Sequence, residues 1–348
     1  MALPPQMLTF LGLGLGTLIT FMSSHWLLAW MGMEISTLAI MPLMIQQHHP
    51  RAIEATVKYF LTQTTGAAIL LFASISNAWL TGQWDIHQMT HPFPTTLISL
   101  ALAIKLGLAP FHFWLPEVLQ GQNLTTGLIL STWQKLAPFI VLLQLHHSNT
   151  TLLVGLGLTS TIIGGWGGLD QTQLRKILAY SSIAHMGWII LVLQFDPTLA
   201  LVSLLVYFGM TISTFLSFKM TKSTNVNSMA SSSTMAPIIT ALIPVILLSL
   251  AGLPPLTGFM IKWMILAELA KQDLAFTGVL AALTSLLSIF YYLRLSYVLS
   301  LVMSVNNPLG AVSWRLNTVQ HTTLLSFATT ITLIFLPMTP PFMALTSL

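Results

Sequence analysis

The chain has 348 residues, of which 6% are charged and 55% hydrophobic, and its mean hydropathy is +0.82. A soluble domain carries about 25% charged residues, so this composition excludes a water-soluble globule. The net charge of +4 comes without a basic run, which argues against a nucleic-acid surface, and the absence of cysteine excludes cysteine-held iron–sulfur clusters, disulfides and a thiol nucleophile in this sequence.

Apolar stretches of about 20 residues recur from end to end without the alternation of a barrel strand, so the expected fold class is an all-α polytopic membrane protein with about eleven transmembrane helices. The first span, 3–22, lacks the basic region of a cleavable signal and continues into further spans. Its Gly12, Gly14 and Gly16 lie in an apolar run with no strand before them, which rules out a dinucleotide loop. The second, 25–46, carries Glu34 at its middle; ahead of and inside the third, 56–80, Glu54 and Lys58 stand at pairing distance on a helix. The fourth, 95–116, holds Lys105 and is interrupted by Pro110 and Pro116, each of which removes a helix hydrogen bond. The fifth, 124–145, holds Lys135 just before Pro138.

The sixth, 150–169, is small-faced through Gly155, Gly157, Gly164, Gly165, Gly167 and Gly168 and predicts close helix packing. The seventh, 174–195, contains Ser181-Ser-Ile-Ala-His185-Met-Gly, and the eighth covers 197–219. The ninth, 236–272, is too long for one straight span; with Leu253-Pro254-Pro255 near its middle and Lys262 beyond, it reads as one broken helix. After 275–300, a polar loop from Asn306 to His321 leads to the last span, 323–343.

Charge tests the topology. With strict alternation, the side holding the N-terminus collects Arg51, Lys58, Arg175, Lys176, Lys219, Lys222, Arg294 and Arg315, and the other side only Lys271. That bias places the N-terminus on the matrix or cytoplasmic side and supports counting the ninth segment once. The two Pro-interrupted helices lie five segments apart. The organisation predicted is therefore a single membrane domain over 1–348: a five-helix repeat at 1–147, a second of opposite orientation at 148–302, and a polar loop with a final helix at 303–348. Broken helices at matching positions of inverted repeats point to a transporter-type ion site.

The remaining basic residues, Lys105, Lys135 and Lys262, lie inside spans, as does Glu34. A lysine at a helix centre costs roughly 2.5–3.5 kcal/mol. Such groups face the bundle interior or a wet cavity, where a neighbour's charge decides whether each keeps its proton. Snorkelling would need a helix end, and these lie nearer mid-span. Freed carbonyls at the prolines supply polar contacts beside each lysine. His112 and His185 are of the residue type suited to relaying protons; each is equally a packing residue on sequence alone. His48-His49 and His146-His147 fall at segment ends, unsuited to an axial haem role. Glu54, Lys58, Glu117 and Glu268 read as solvated ends, and the ten tryptophans with the tyrosines near segment ends as interfacial belts.

Glu34, Lys105 with Ala109-Pro-Phe-His-Phe-Trp-Leu-Pro116-Glu117, and Thr132-Trp-Gln-Lys135 form one part of a resemblance. Leu174-Arg-Lys-Ile-Leu-Ala-Tyr-Ser-Ser-Ile-Ala-His185-Met-Gly and Leu250-Ala-Gly-Leu-Pro-Pro-Leu-Thr-Gly-Phe-Met-Ile-Lys262 form the rest. Over essentially its whole length the chain resembles the antiporter-like proton-pumping subunits of respiratory complex I. The resemblance implies that Glu34, Lys105, Lys135 and Lys262 belong to a polar axis through the membrane arm, with His112 and His185 at the family's motif histidines. It implies that quinone reduction elsewhere drives protons from the matrix across the mitochondrial inner membrane, with the C-terminus on the intermembrane-space side. No cofactor is then expected in this chain; NAD, flavin, iron–sulfur and ubiquinone sites would be on other subunits. Compared with fuller family members the first three helices are missing, so partner helices of another membrane-arm subunit are expected there, beside lipid. A stand-alone cation/proton antiporter and a scaffold subunit are the competing expectations.

Overall fold

The computed structural model describes residues 5–46, 49–145, 149–231, 237–302, 322–334 and 336–346. The predicted loop from Asn306 to His321 with Arg315, and His48, His146 and His147, lie outside the described residues. The secondary structure is helical: α1 (Pro5–Met22), α2 (Trp26–Ile45), α3 (Pro50–Thr81), α4 (Pro92–Leu106), α5 (Trp114–Gly121), α6 (Leu124–Ser131), α7 (Trp133–Gln144) and α8 (Thr150–Gly167) come first. They are followed by α9 (Leu174–Val192), α10 (Pro197–Met220), α11 (Val226–Ser231), α12 (Pro237–Ala251), α13 (Thr257–Lys271), α14 (Ala275–Val302), α15 (Thr323–Ile334) and α16 (Thr339–Thr346). Among the described residues, six helical stretches are long and apolar enough to cross a membrane, Trp26–Ile45, Pro50–Thr81, Leu124–Gln144, Thr150–Gly167, Pro197–Met220 and Ala275–Leu301. Shorter apolar helices, Gln6–Met22, Pro92–Leu106, Ile238–Ala251 and Thr323–Ile334, accompany them.

The chain divides into two compact units, residues 1–160 and 161–348. In the first, α1 and α2 cross closely because both offer glycine: a Cβ on Gly16 would stand 2.7 Å from the Gly32 carbonyl oxygen. α1 turns Leu8, Phe10, Leu11, Leu15 and Leu18 outward, as a lipid-facing helix requires. In the second, α9 is buried at every residue from Ser181 to Leu193 and forms the centre of its unit; a helix apolar nearly all round belongs there. The small face of α8 behaves as its glycines predict in this unit. Gly164 lies against Ala184, Gly167 against the Tyr180 ring and Gly168 against the Tyr291 ring, whereas Gly155 meets nothing within 4 Å.

Both Pro-containing interruptions are real breaks built with the same turn. α4 stops at Gly107, whose φ of 74° suits glycine alone, and the Leu108 amide reaches back to the Ala103 carbonyl at 3.0 Å. α12 stops before Gly252 with φ 78°, and the Leu253 amide reaches back to Leu248 O at 3.3 Å. The chain then passes through Ala109-Pro110 or Pro254-Pro255 into the second half-helix, α5 or α13. Pro116 corrects one expectation. It sits in the first turn of α5, where its missing N–H has no helical acceptor in any case, so it costs no hydrogen bond. A further break, with neither glycine nor proline, separates α6 from α7 at Thr132 (φ −114°, ψ −71°). Pro138, expected to be the irregularity beside Lys135, lies inside α7 instead.

Candidate functional site

In the first unit Glu34 is carried by the middle of α2, Lys105 by the last turn of α4 and Lys135 by the first turn of α7. Glu34 Oε1 and Lys105 Nζ are 3.8 Å apart, with side-chain exposures of 18% and 2%. Their contact is electrostatic rather than a hydrogen bond, since neither atom has a hydrogen-bond partner among the described residues. The other carboxylate oxygen accepts from Thr37 Oγ1 at 3.4 Å. Gly66 on α3 makes room for the lysine stem, for a Cβ there would come 3.2 Å from Lys105 Cγ.

Lys105 and Lys135 line one small cavity with Ser36, Tyr59, Gln63 and Gln134. Its volume is about 10 Å³, room for roughly a single water. Gln134 Nε2 donates to the Ser36 carbonyl at 3.0 Å and ties the start of α7 to α2. Tyr59, Gln63 and Gly66 were not singled out from the sequence. Their spacing along one face of α3 is the signal that marks them, a polar stripe on a membrane helix.

The freed backbone of the first break is occupied. Trp114 Nε1 donates to Ile104 O at 3.1 Å, Thr159 Oγ1 to Ala109 O at 3.3 Å, and His112 Nδ1 to Pro110 O at 3.2 Å. His112 is buried within the turn, with its ring centroid 4.3 Å from that of Phe113.

In the second unit Lys262 stands in the second turn of α13 and donates from Nζ to Ala251 O at 2.8 Å, the carbonyl that ends α12. The C-terminal end of a helix carries partial negative charge, so it suits an ammonium. Trp188 of α9 lies alongside, its ring centroid 6.0 Å from Nζ. His185, one turn earlier on α9, is buried beside Tyr207 of α10, with centroids 5.5 Å apart. The structure thus puts Lys105 and Lys135 on one pocket, with Glu34 3.8 Å from Lys105, and places His112 in the neighbouring turn; in the second unit Lys262 lies against α9, the helix that carries His185. Among the described residues, no group of acidic or histidine side chains could hold a metal ion.

Two expectations about segment ends meet different outcomes. Lys58 pairs with Glu54 at 2.7 Å, as the helical spacing predicts, but also with Glu117 of α5 at 2.7 Å. Glu268 pairs with Lys271 at 2.9 Å and is only 13% exposed, not a freely solvated end.

Half-helices that stop in the apolar bundle, with buried lysines at the stops, define a helical membrane protein of the broken-helix transporter class. The chain belongs to the family described as NADH:quinone oxidoreductase/Mrp antiporter, TM, which matches residues 23–288. Residues 289–343 match the family described as NADH dehydrogenase subunit 2 C-terminus. The chain is 64% identical to NADH-ubiquinone oxidoreductase chain 2 of Tetraodon nigroviridis, over 96% of each chain. It is 61% identical to the protein of that name from Gadus morhua, over 97% of each. Among solved structures it is similar to a chain of respiratory complex I from Thermus thermophilus, with 26% identity and a TM-score of 0.78, covering 96% of this chain and 78% of that one. A chain of the Mrp complex from Dietzia shares the fold at a TM-score of 0.78 and 17% identity, covering 97% of this chain and 75% of that one.

Proposed function

We propose that this chain is a membrane-arm subunit of NADH:ubiquinone oxidoreductase that translocates protons across the mitochondrial inner membrane, coupled to electron transfer from NADH to ubiquinone. Glu34, Lys105, Lys135 and Lys262 form its relay, with His112 and His185 as intermediate carriers. The carrying observation is the placement of Lys105 against Glu34 at 3.8 Å in a pocket that Lys135 also lines. Neutralising Glu34 removes the partner charge that favours a proton on Lys105, and restoring it draws the proton back. Redox chemistry belongs to other subunits.

The two broken helices support inverted five-helix repeats within about eleven spans. Gly107-Leu108-Ala109-Pro110 and Gly252-Leu253-Pro254-Pro255 match at three of four positions, with the same glycine conformation. The basic residues at helix ends support an N-terminus in the matrix and a C-terminus in the intermembrane space. The outward apolar side chains of α1 suit a partner helix from a neighbouring subunit, or lipid. The alternative of a free cation/proton antiporter rests on the shared fold, and the high identity to the fish proteins favours the complex.

Glu34→Gln in the assembled complex tests the relay. Proton translocation should fall while the subunit still incorporates, and the lone Lys105 ammonium should cost about 3 kcal/mol of stability. Adding Lys105→Met should recover stability but not translocation. Unchanged translocation in Glu34→Gln overturns the relay.

A further inference from the structure

The serine and threonine hydroxyls of this bundle mostly serve their own helix. Ser249 donates to Ile246 O at 2.6 Å, Thr329 to Ser326 O at 2.9 Å and Thr332 to Thr329 O at 2.8 Å, each three residues back. Thr257, in the second unit, departs from this habit. Its Oγ1 donates to Thr332 O at 2.6 Å, across 75 residues of sequence, and both residues are at most 1% exposed. Thr257 is the first residue of α13, so no carbonyl of its own helix lies before it. Thr332 stands in the last turn of α15, where carbonyls lack an amide within the helix. One hydroxyl thus joins the start of the half-helix after the second break to the end of α15.

α15 presents one face to its unit. Leu325, Ala328, Thr329 and Thr332 are buried, at the spacing of one helical stripe, while Leu324, Phe327 and Ile334 point outward. The buried side packs mainly on α10, where a Cβ at Gly209 would come 3.3 Å from Ile331 Cγ2. The match to the antiporter family ends at residue 288, and α15 falls in the stretch 289–343 that matches the subunit 2 C-terminus family. α13, for its part, is held at three points within its first two turns. Thr257 bonds α15, Gly258 packs on the Ser249 carbonyl of α12, and Lys262 Nζ donates to Ala251 O at 2.8 Å.

We propose that α15 braces the second break and that Thr257 is a positioning residue for Lys262: the Thr257–Thr332 bond fixes where α13 begins, and with it the reach of Lys262 to Ala251 O. Thr257 and Lys262 are separated by about 7.5 Å of helix rise, so a shift at one is carried to the other. N–H···O bonds extend to about 3.2 Å. Moving α13 roughly half an ångström away from the end of α12 therefore breaks a contact that stands at 2.8 Å. Gly258 limits approach toward α12, and the Thr257 bond sets the position from the side of α15. The inference rests on the relay reading and adds to it the residue pair that sets where one of its lysines stands.

The test uses Thr257→Val, which keeps the shape and removes the donor, and Thr257→Ser, which keeps the donor, beside Lys262→Met. Each is carried in the assembled complex in sealed membrane vesicles, alone and as the double variant Thr257→Val/Lys262→Met. Proton translocation is read per NADH oxidised, and incorporation of the subunit is measured in parallel on native gels. The expected result is a proton yield in Thr257→Val that falls toward that of Lys262→Met, recovery in Thr257→Ser, and no further loss in the double variant. A wild-type yield in Thr257→Val with loss in Lys262→Met overturns the brace and leaves the relay standing. Wild-type yields in both overturn the relay and the brace with it. Reduced incorporation of Thr257→Val at a wild-type yield per incorporated subunit makes the bond a packing feature and overturns the proposal. So does an equal loss in Thr257→Ser, or a double variant that falls below Lys262→Met.

Discussion

The breaks at α4–α5 and α12–α13 use one turn and solve the same problem differently. Stopping a helix inside an apolar bundle leaves carbonyls without partners, and each must find a donor. At the first break the Trp114 indole donates to Ile104 O, which also accepts from the Gly107 amide, and Lys105 faces Glu34. At the second break Lys262 is itself the donor, on Ala251 O, and among the described residues no carboxylate lies within 4.0 Å of it. One lysine is therefore held by a charge that can change and the other by a dipole that cannot. A lysine's local role is set by which neighbour caps the backbone, not by the break itself.

The comparison is broken most severely at Gly258. A Cβ there runs into the Ser249 carbonyl oxygen, the two half-helices being packed backbone to backbone. Gly258→Ala should cost roughly 3 kcal/mol and sharply reduce incorporation on native gels, whereas Gly82→Ala, against which nothing stands within 4 Å, meets no such clash despite its φ of 74°. Next in size is Lys262→Met. It leaves Ala251 O buried and unpaired, an expected loss of about 1–3 kcal/mol, read as a lower melting temperature of the purified complex. Lys262→Arg, which keeps a donor, should lose less. The smallest effect belongs to Trp114→Phe, which keeps most of the ring and removes a neutral hydrogen bond worth about 1 kcal/mol. If Trp114→Phe proves costlier than Lys262→Met, the division of labour drawn between indole and ammonium is wrong.

Much of this was legible because membrane helices announce themselves by length and apolarity, and because ionisable residues are rare enough there to stand out. Glu34, Lys105, Lys135 and Lys262 are found by that rarity alone. The break in the ninth segment was readable from Leu253-Pro254-Pro255, although the turn that makes it belongs to Gly252. What stayed hidden depends on neighbours distant in sequence. Glu117 meets Lys58 across 59 residues, so helical spacing cannot announce it. Gln134 joins α2 through a backbone carbonyl, which no pattern of side chains encodes. The kink at Thr132 carries no breaker residue, and Pro116 is harmless because of where α5 begins.

The close crossing of α1 and α2 has a bearing on Glu34. Gly32 lies two positions before it, and a Cβ at Gly32 would stand 2.7 Å from Thr20 Cγ2 and 2.8 Å from Gly16 O. The absent methyl groups act as a spacer of zero thickness that fixes how far the carboxylate can reach. Coulomb energy scales inversely with separation and steeply with local dielectric, so widening the crossing by one carbon would retune the Glu34–Lys105 attraction without touching either charge. Two glycines thereby act as the gauge for the most deeply buried ion pair among the described residues.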